Sequence, residues 1–129
     1  MARIEVYNIK PSFVDPRGEI INVYEGDVKH ISVIRSVLGA VRGNHYHKTD
    51  IQRLYCVSGH WVTKWEDVQT GERGETEVVA GQLEVDPPFV AHRVEFLQDS
   101  VLVQVSSAPR IELEHKDTFR WDVEARQVA

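Results

Sequence analysis

The sequence of 129 residues is short of several features, and each shortage excludes a class of protein. It contains one cysteine, Cys56, which excludes an internal disulfide, and we expect a buried structural thiol in a reducing compartment. No apolar run approaches the ~20 residues that span a bilayer. The first residues lack the apolar stretch of a signal peptide. We therefore expect a cytoplasmic protein without a membrane segment.

Positive charge is also scarce, with 15 Lys and Arg against 20 Asp and Glu and a net charge of −5. This balance argues against general nucleic-acid binding. The segment from Lys29 to Arg53 departs from it, because its only acidic residue is Asp50 and its basic residues are Lys29, Arg35, Arg42, Lys48 and Arg53. Such a segment predicts either a site for an anion such as a diphosphate or a solvated rim of the fold. Charge alone does not decide between them.

Long amphipathic helical patterns are missing as well. Short β-branched and aromatic runs, for example Glu19–Tyr24, alternate instead with glycine and proline turns at a spacing of roughly ten residues. This pattern predicts one all-β antiparallel domain, with its core at about residues 15–107. The charged tail, residues 108–129, is expected to form a short strand or helix that packs through Phe119 and Trp121.

A pair of histidines, His45 and His47, lies on a predicted strand two residues apart. Side chains alternate along a strand, so both imidazoles face one way and Tyr46 faces the other, where we expect it to pack. A third histidine, His92, follows Pro87-Pro88 in a later strand, either in the same pocket or hydrogen-bonded inside the fold. We predict that all three face one interior pocket. Solvated, rim or packing positions are expected for the other histidines: His30, His60 and His115.

The ordered set of these residues resembles the two sequence motifs of the cupin family. It runs Gly43-x-His45-x-His47-x4-Gln52-x6-Gly59 and continues with Gly81, Pro88 and His92. Two positions depart from the family pattern, which usually has Glu in place of Gln52 and Pro-x-Gly before the last histidine. The resemblance implies a double-stranded β-helix, or jelly-roll, barrel.

Within cupins the pattern is similar to the nucleotide-sugar branch, in particular the dTDP-4-keto-6-deoxyhexose 3,4-ketoisomerases and the dTDP-4-dehydrorhamnose 3,5-epimerase-like proteins. This resemblance implies an isomerase or epimerase that needs no cofactor and acts on a dTDP-linked sugar. We also expect a homodimer, because short barrels with exposed N-terminal edge strands often pair or swap them. His47 would be the base at a sugar carbon and His45 its partner. Arg42 would hold the diphosphate. The other expected substrate-binding residues are Lys48, Gln52, Arg53 and His92.

Two alternatives remain open from the sequence. In the first, His45, His47 and His92, with or without weak help from Gln52, bind Zn, Fe, Ni or Mn. The motif also resembles the cupin half of bifunctional capsular-sugar enzymes, which bind zinc and carry Glu at the position of Gln52. In the second, the chain binds a sugar or another small molecule without turnover.

Overall fold

The computed structural model describes residues 2–124, except for the side chains of residues 113 and 114. Twelve strands and one helix follow each other in these residues: β1 Glu5–Asn8, β2 Phe13–Asp15, β3 Gly18–Ile20, β4 His30–Ser36, β5 Val41–Tyr46, β6 Gln52–Ser58, β7 His60–Asp67, β8 Arg73–Val79, β9 Gln82–Asp86, β10 Val90–Phe96, β11 Ser100–Ser106, α1 Arg110–Lys116 and β12 Phe119–Arg120. Among the described residues, no helix has the length and apolar character needed to cross a membrane.

The strands form two five-stranded sheets and one small ribbon. The first sheet has the order β1-β9-β6-β11-β4, the second has the order β12-β5-β10-β7-β8, and β2 pairs with β3. All pairings are antiparallel, and strands adjacent in a sheet are mostly distant in sequence, as in a jelly roll. The prediction of an antiparallel all-β chain is confirmed.

An apolar core joins the two sheets. Trp61 of β7 is fully buried, and its ring lies 5.8 Å from that of Phe96 on β10. Cys56 on β6 is also fully buried in this core, and burial raises the pKa of its thiol to about 11. The expected buried structural thiol is therefore confirmed. The other buried members of the core cluster are Leu54, Val78, Val94 and Leu102.

One predicted strand is mostly wrong. Glu19–Tyr24 is rich in β-branched residues, but β3 ends at Ile20 and the chain then runs without regular structure to β4. The ring of Tyr24 stacks under the guanidinium of Arg53, with Arg53 Cζ 4.1 Å from the ring centroid. A side-chain contact, and not pairing with a strand, thus fixes the position of Tyr24. The tertiary context overrides the β propensity of this segment.

The C-terminal tail packs as expected over its described part. It forms α1 and then β12, which pairs with β5 so that Phe119 lies opposite Tyr46 and Arg120 opposite His45. The Tyr46 ring lies 5.3 Å from Phe119 and 5.8 Å from Trp121, so the packing role predicted for Tyr46 is confirmed. Residues 125–129 of the predicted tail lie outside the described residues.

Candidate active site

Two adjoining cavities lie between the sheets, with volumes of about 510 and 240 Å³. Both are lined by Ile34, Arg42, His45, Gln52 and Gln104, which come from β4, β5, β6 and β11. The residues that line the larger cavity are mostly polar in type. The smaller one reaches the apolar core at Leu54, Phe96 and Leu102. The pair of cavities offers a polar mouth and an apolar inner end, a common form of small-molecule site.

Three histidines meet at these cavities. His45 on β5 lies directly opposite His92 on β10, and His47 follows the end of β5 on the same side as His45. The ring centroids are 5.0 Å apart for His45 and His47, 4.8 Å for His45 and His92, and 5.8 Å for His47 and His92. One nitrogen from each ring lies within 4.8 Å of the other two. The structure thus brings together the three histidines that the sequence singled out.

Burial keeps all three imidazoles neutral. Loss of solvent, together with the smaller effect of the charges that His92 and His47 would carry, lowers the pKa of His45 to about 3. Burial also lowers the pKa of His47 and of His92. Each ring therefore keeps an unprotonated nitrogen at neutral pH, which is able to accept a proton or bind a metal ion.

A buried carboxyl pair lies behind His92. Asp86 Oδ2 is 3.7 Å from His92 Nδ1, which also lies 3.3 Å from the carbonyl of Val90. Burial raises the pKa of Glu84 well above its usual range, and the charge of Asp86 adds to this effect. Burial raises the pKa of Asp86 itself to about 6. Trp61 Nε1 (3.1 Å) and Thr63 Oγ1 both donate to Glu84 Oε1.

The sequence contained a signal for this pair. Glu84 and Asp86 alternate with Leu83 and Val85 on a strand that ends at a proline, and two acids at such spacing share one face. Neither acid was among the predicted site residues. The larger cavity adds further unpredicted residues, among them His30, Ser32, Arg110 and Thr118. His30 lines the cavity together with Ser32, and His30 Nε2 lies 3.0 Å from Ser32 Oγ. This histidine therefore does not take a purely solvated or packing position.

The predicted basic residues divide into two groups. Arg42 lines both cavities, and its Nε donates to Ser36 Oγ at 2.8 Å. Lys48 and Arg53 are not among the residues that line these two cavities, and their role in binding stays a prediction. Lys48 Nζ lies 4.4 Å from the centroid of the Phe119 ring. Arg53 follows the buried, cavity-lining Gln52 on β6, so alternation turns its side chain to the opposite face.

A family model described as the polysaccharide biosynthesis C-terminal domain matches residues 13–119. The chain belongs to this family. No protein among those with curated functions gives a significant match.

Solved structures carry the comparison further. The capsular polysaccharide assembling protein CapF from Staphylococcus aureus is 29% identical, with a TM-score of 0.66 over 91% of this chain and 33% of CapF. The 3,4-ketoisomerase QdtA from Thermoanaerobacterium thermosaccharolyticum, crystallised as a mutant with TDP-4-keto-6-deoxyglucose, is 20% identical, with a TM-score of 0.77 over 93% of this chain and 88% of QdtA. A dTDP-4-dehydrorhamnose 3,5-epimerase from Sulfolobus tokodaii is 22% identical, with a TM-score of 0.72 over 83% and 71% of the two chains.

The predicted resemblance to cupin-type nucleotide-sugar proteins is confirmed by these neighbours. At identities near 20%, the likeness to the ketoisomerase and the epimerase shows a shared fold. CapF is the more similar in sequence, and this chain corresponds to a third of it. The shared fold thus agrees with the antiparallel two-sheet architecture, and the chemistry depends on the residues at the site.

Phe89 occupies a position where the cupin pattern usually has glycine. Its φ is +64°, a left-handed conformation that is unusual for a bulky side chain. Two contacts hold it there. Its backbone N–H donates to the carbonyl of His47 at 2.7 Å, and its ring stacks near Tyr46 with centroids 6.3 Å apart. The strained residue therefore ties the strand that carries His92 to the segment that carries His47.

Gly43 allows β5 to approach His92, and its replacement should be costly. A Cβ at Gly43 would lie 2.6 Å from the carbonyl oxygen of His92, and φ is +92°. We expect Gly43→Ala to destabilise the fold by roughly 2–4 kcal/mol, through both backbone strain and displacement of His92. Urea unfolding followed by tryptophan fluorescence measures this change.

Gly39→Ala is the matched control, because Gly39 has φ +87° but open space around its Cβ position. It should cost only the backbone strain, roughly 1 kcal/mol. Equal losses for the two variants would show that the contact with His92 does not require glycine at position 43.

Proposed function

We propose that this chain is an isomerase or epimerase that acts on a nucleotide-linked 4-keto-6-deoxysugar, in the manner of a 3,4-ketoisomerase. The observation that carries the proposal is the cluster of neutral imidazoles from His45, His47 and His92 where the two cavities adjoin. Solved structures of the same fold include enzymes crystallised with TDP and with TDP-4-keto-6-deoxyglucose. The apolar inner end of the cavity suits the methyl group of a 6-deoxysugar.

In the proposed reaction, a proton moves from C3 of the sugar to C4. His47 Nε2 accepts the C3 proton, and the electron pair forms an enediolate with the C4 carbonyl. The proton is then delivered to C4, with His45 as the partner that exchanges protons at the oxygens, and the ketone ends at C3. The enediolate and the diphosphate are anionic, so they favour the imidazolium form and offset the burial that lowers the pKa of His47.

Binding would rest on the polar mouth of the larger cavity. The guanidiniums of Arg42 and Arg110 both line it, and a planar guanidinium pairs well with diphosphate oxygens. Gln52 is only 4% exposed and lines both cavities, so its amide would contact sugar hydroxyls. His92 lines the smaller cavity and would contact the part of the sugar that enters it.

Incubation with dTDP-4-keto-6-deoxyglucose in deuterated water tests the proposal. We expect a new ketosugar, with deuterium at the carbon that receives the proton, detected by NMR and mass spectrometry. Tight binding of the nucleotide sugar with neither deuterium incorporation nor a new ketosugar would contradict it. That result would favour the third interpretation, a binding protein without turnover.

A metal-dependent cupin enzyme is the second candidate. One nitrogen from each of three neutral imidazoles lies within 4.8 Å of the other two, an arrangement that fits a divalent ion. The buried His47 Nε2 has no hydrogen-bond partner among the described residues. His45, His47 and His92 would hold it, with the neutral amide of Gln52 as a weak addition. A metal there would act as a Lewis acid on a carbonyl oxygen. Elemental analysis of protein purified without chelator should find one equivalent of Zn, Fe, Ni or Mn; full activity after metal removal would exclude this candidate.

We further propose that the two sheets close into a single-domain double-stranded β-helix and that the protein is a homodimer. Ile31 and Val33 on the edge strand β4 are 61% and 63% exposed, an apolar surface that a second subunit would cover. Light scattering coupled to gel filtration should give twice the mass of 14.8 kDa. A monomer at micromolar concentration would contradict the dimer.

A further inference from the structure

Asp117 lies between α1 and β12, and its carboxylate binds one short loop of the chain. Oδ1 accepts from the backbone N–H of Lys48 at 2.7 Å, and Oδ2 accepts from the backbone N–H groups of Thr49 at 3.1 Å and Asp50 at 2.9 Å. The Thr49 hydroxyl also donates to Oδ2, at 2.8 Å. Burial raises the pKa of Asp117, but these donors outweigh it and lower the pKa, so the group stays ionised.

The backbone carbonyl of the same residue contacts His47. The distance from His47 Nδ1 to Asp117 O is 2.6 Å. A carbonyl oxygen carries no proton, so Nδ1 must be the donor in this bond. In a neutral imidazole the other nitrogen, Nε2, then keeps its lone pair. His47 Nε2 is buried and has no hydrogen-bond partner among residues 2–124, and His47 lines the larger cavity.

The segment that follows Asp117 is fixed to the strand that precedes His47. Phe119 and Arg120 pair with β5, and Trp121 N donates to the carbonyl of Asn44 at 2.9 Å. Trp121 Nε1 also donates to Glu66 Oε1 at 3.3 Å. The Asp117 carbonyl that contacts His47 is therefore held in two ways. The carboxylate of the same residue binds the loop at residues 48–50, and β12, which follows Asp117 in the chain, pairs with β5.

We propose that Asp117 is a positioning residue for His47. Its carboxylate fastens the loop at residues 48–50, and its carbonyl fixes the Nδ1–H tautomer, so that Nε2 is the atom that acts in the cavity. The assignment of the tautomer stands independently of the reaction, whereas the expected loss of turnover rests on the proposed isomerase function. Nothing in the sequence motif around His47 indicates this partner, which lies 70 residues away.

The tautomer can be read directly. Two-bond ¹⁵N–¹H correlation spectra of ¹⁵N-labelled, chelator-treated protein distinguish the ring nitrogen that carries the proton from the one that does not. We expect His47 in the Nδ1–H form in the wild-type protein. An Nε2–H tautomer would overturn the proposal, whether or not the protein turns over a ketosugar. The expected tautomer in a protein without isomerase activity would leave the positioning role intact and remove the proposed function.

Asp117→Asn tests the role of the carboxylate, because the amide presents N–H groups to backbone donors that need an acceptor. We expect a mixture of His47 tautomers and a fall in kcat of ~10–100-fold, with KM changed by less than about threefold. Glu112→Gln removes the same charge from an exposed side chain on α1 and should behave as wild type. Thr49→Val, which removes only the hydroxyl contact, should fold and show a smaller fall in kcat. Loss of stability with an unchanged tautomer and kcat would reduce Asp117 to a structural residue.

Discussion

Replacing His47 by Asn is expected to lower kcat by at least ~100-fold, the usual contribution of a general base, while affinity for dTDP changes by less than about threefold. The reason is geometric. The side-chain amide N–H of Asn takes a place near that of His47 Nδ1 and can still donate to the carbonyl of Asp117, so the local fold is retained. The Nε2 atom is lost, and with it the group that accepts the proton from the sugar carbon.

Single-turnover kinetics and isothermal titration with dTDP separate the two effects. His60→Asn is the matched control, since His60 lies at the start of β7, where its Nε2 is 3.6 Å from Glu77, and it does not line either cavity. It should retain full turnover. A His47→Asn variant with wild-type kcat would remove His47 as the base. A variant that loses dTDP binding as well would place His47 in the binding of the nucleotide.

The second large effect is expected in the pH dependence of stability. The pKa of His45 is lowered from 6.5 to about 3. Between these values the unfolded chain binds a proton that the folded chain does not, so stability falls as the pH decreases. At 1.36 kcal/mol for each pH unit, His45 alone accounts for up to about 5 kcal/mol at pH 3. The lowered pKa values of His47 and His92 act in the same direction.

The buried carboxyl pair acts in the opposite direction. The pKa of Asp86 is raised from 3.8 to about 6, so the folded chain holds a proton that the unfolded chain lacks, and stability is lost as the pH rises through this window. The two effects partly cancel between about pH 4 and 6. Below about pH 4 Glu84 and Asp86 are protonated in both states, and the histidines act together with carboxyls of lowered pKa, such as Asp117, to remove stability. We therefore expect a shallow change from neutral pH to about 4 and a steep loss below it.

Urea unfolding of chelator-treated protein from pH 7 to 3 measures this profile. Asp86→Asn removes the part of the opposing slope that Asp86 contributes, so the loss should begin at a higher pH than in the wild type. His45→Asn removes the group whose pKa is lowered to about 3 and should flatten the acid limb. If His45→Asn unfolds with the pH dependence of the wild type, the imidazole of His45 is not kept neutral by the fold.

The parts of the fold that could be predicted are those set by local pattern. Alternation placed His45 and His47 on one face and Tyr46 on the other, and the turn residues marked most of the strands. The strand predicted at Glu19–Tyr24 was mostly wrong, because its β-branched residues find no partner strand beyond Ile20 among the described residues. Propensity records only what a residue favours locally, whereas pairing depends on distant strands.

The candidate site shows the same division. Arg53 was predicted to bind substrate together with Gln52, but neighbours on a strand face opposite sides, and the guanidinium of Arg53 lies over the ring of Tyr24. Arg110 and Asp117 could not have been predicted, since they reach the cavity and His47 only through the docking of the C-terminal segment on β5. Contacts across such a separation leave no periodic signal in a single sequence.

The separation between His47 and Asp117 has a consequence for biosynthesis. The ribosome makes the imidazole 70 positions before the carbonyl that orients it. β5 and β10, which carry His45 and His92, are both complete before Asp117 is added to the growing chain. Because β12 holds this carbonyl against β5, His47 is oriented only once the C-terminal segment has emerged and docked.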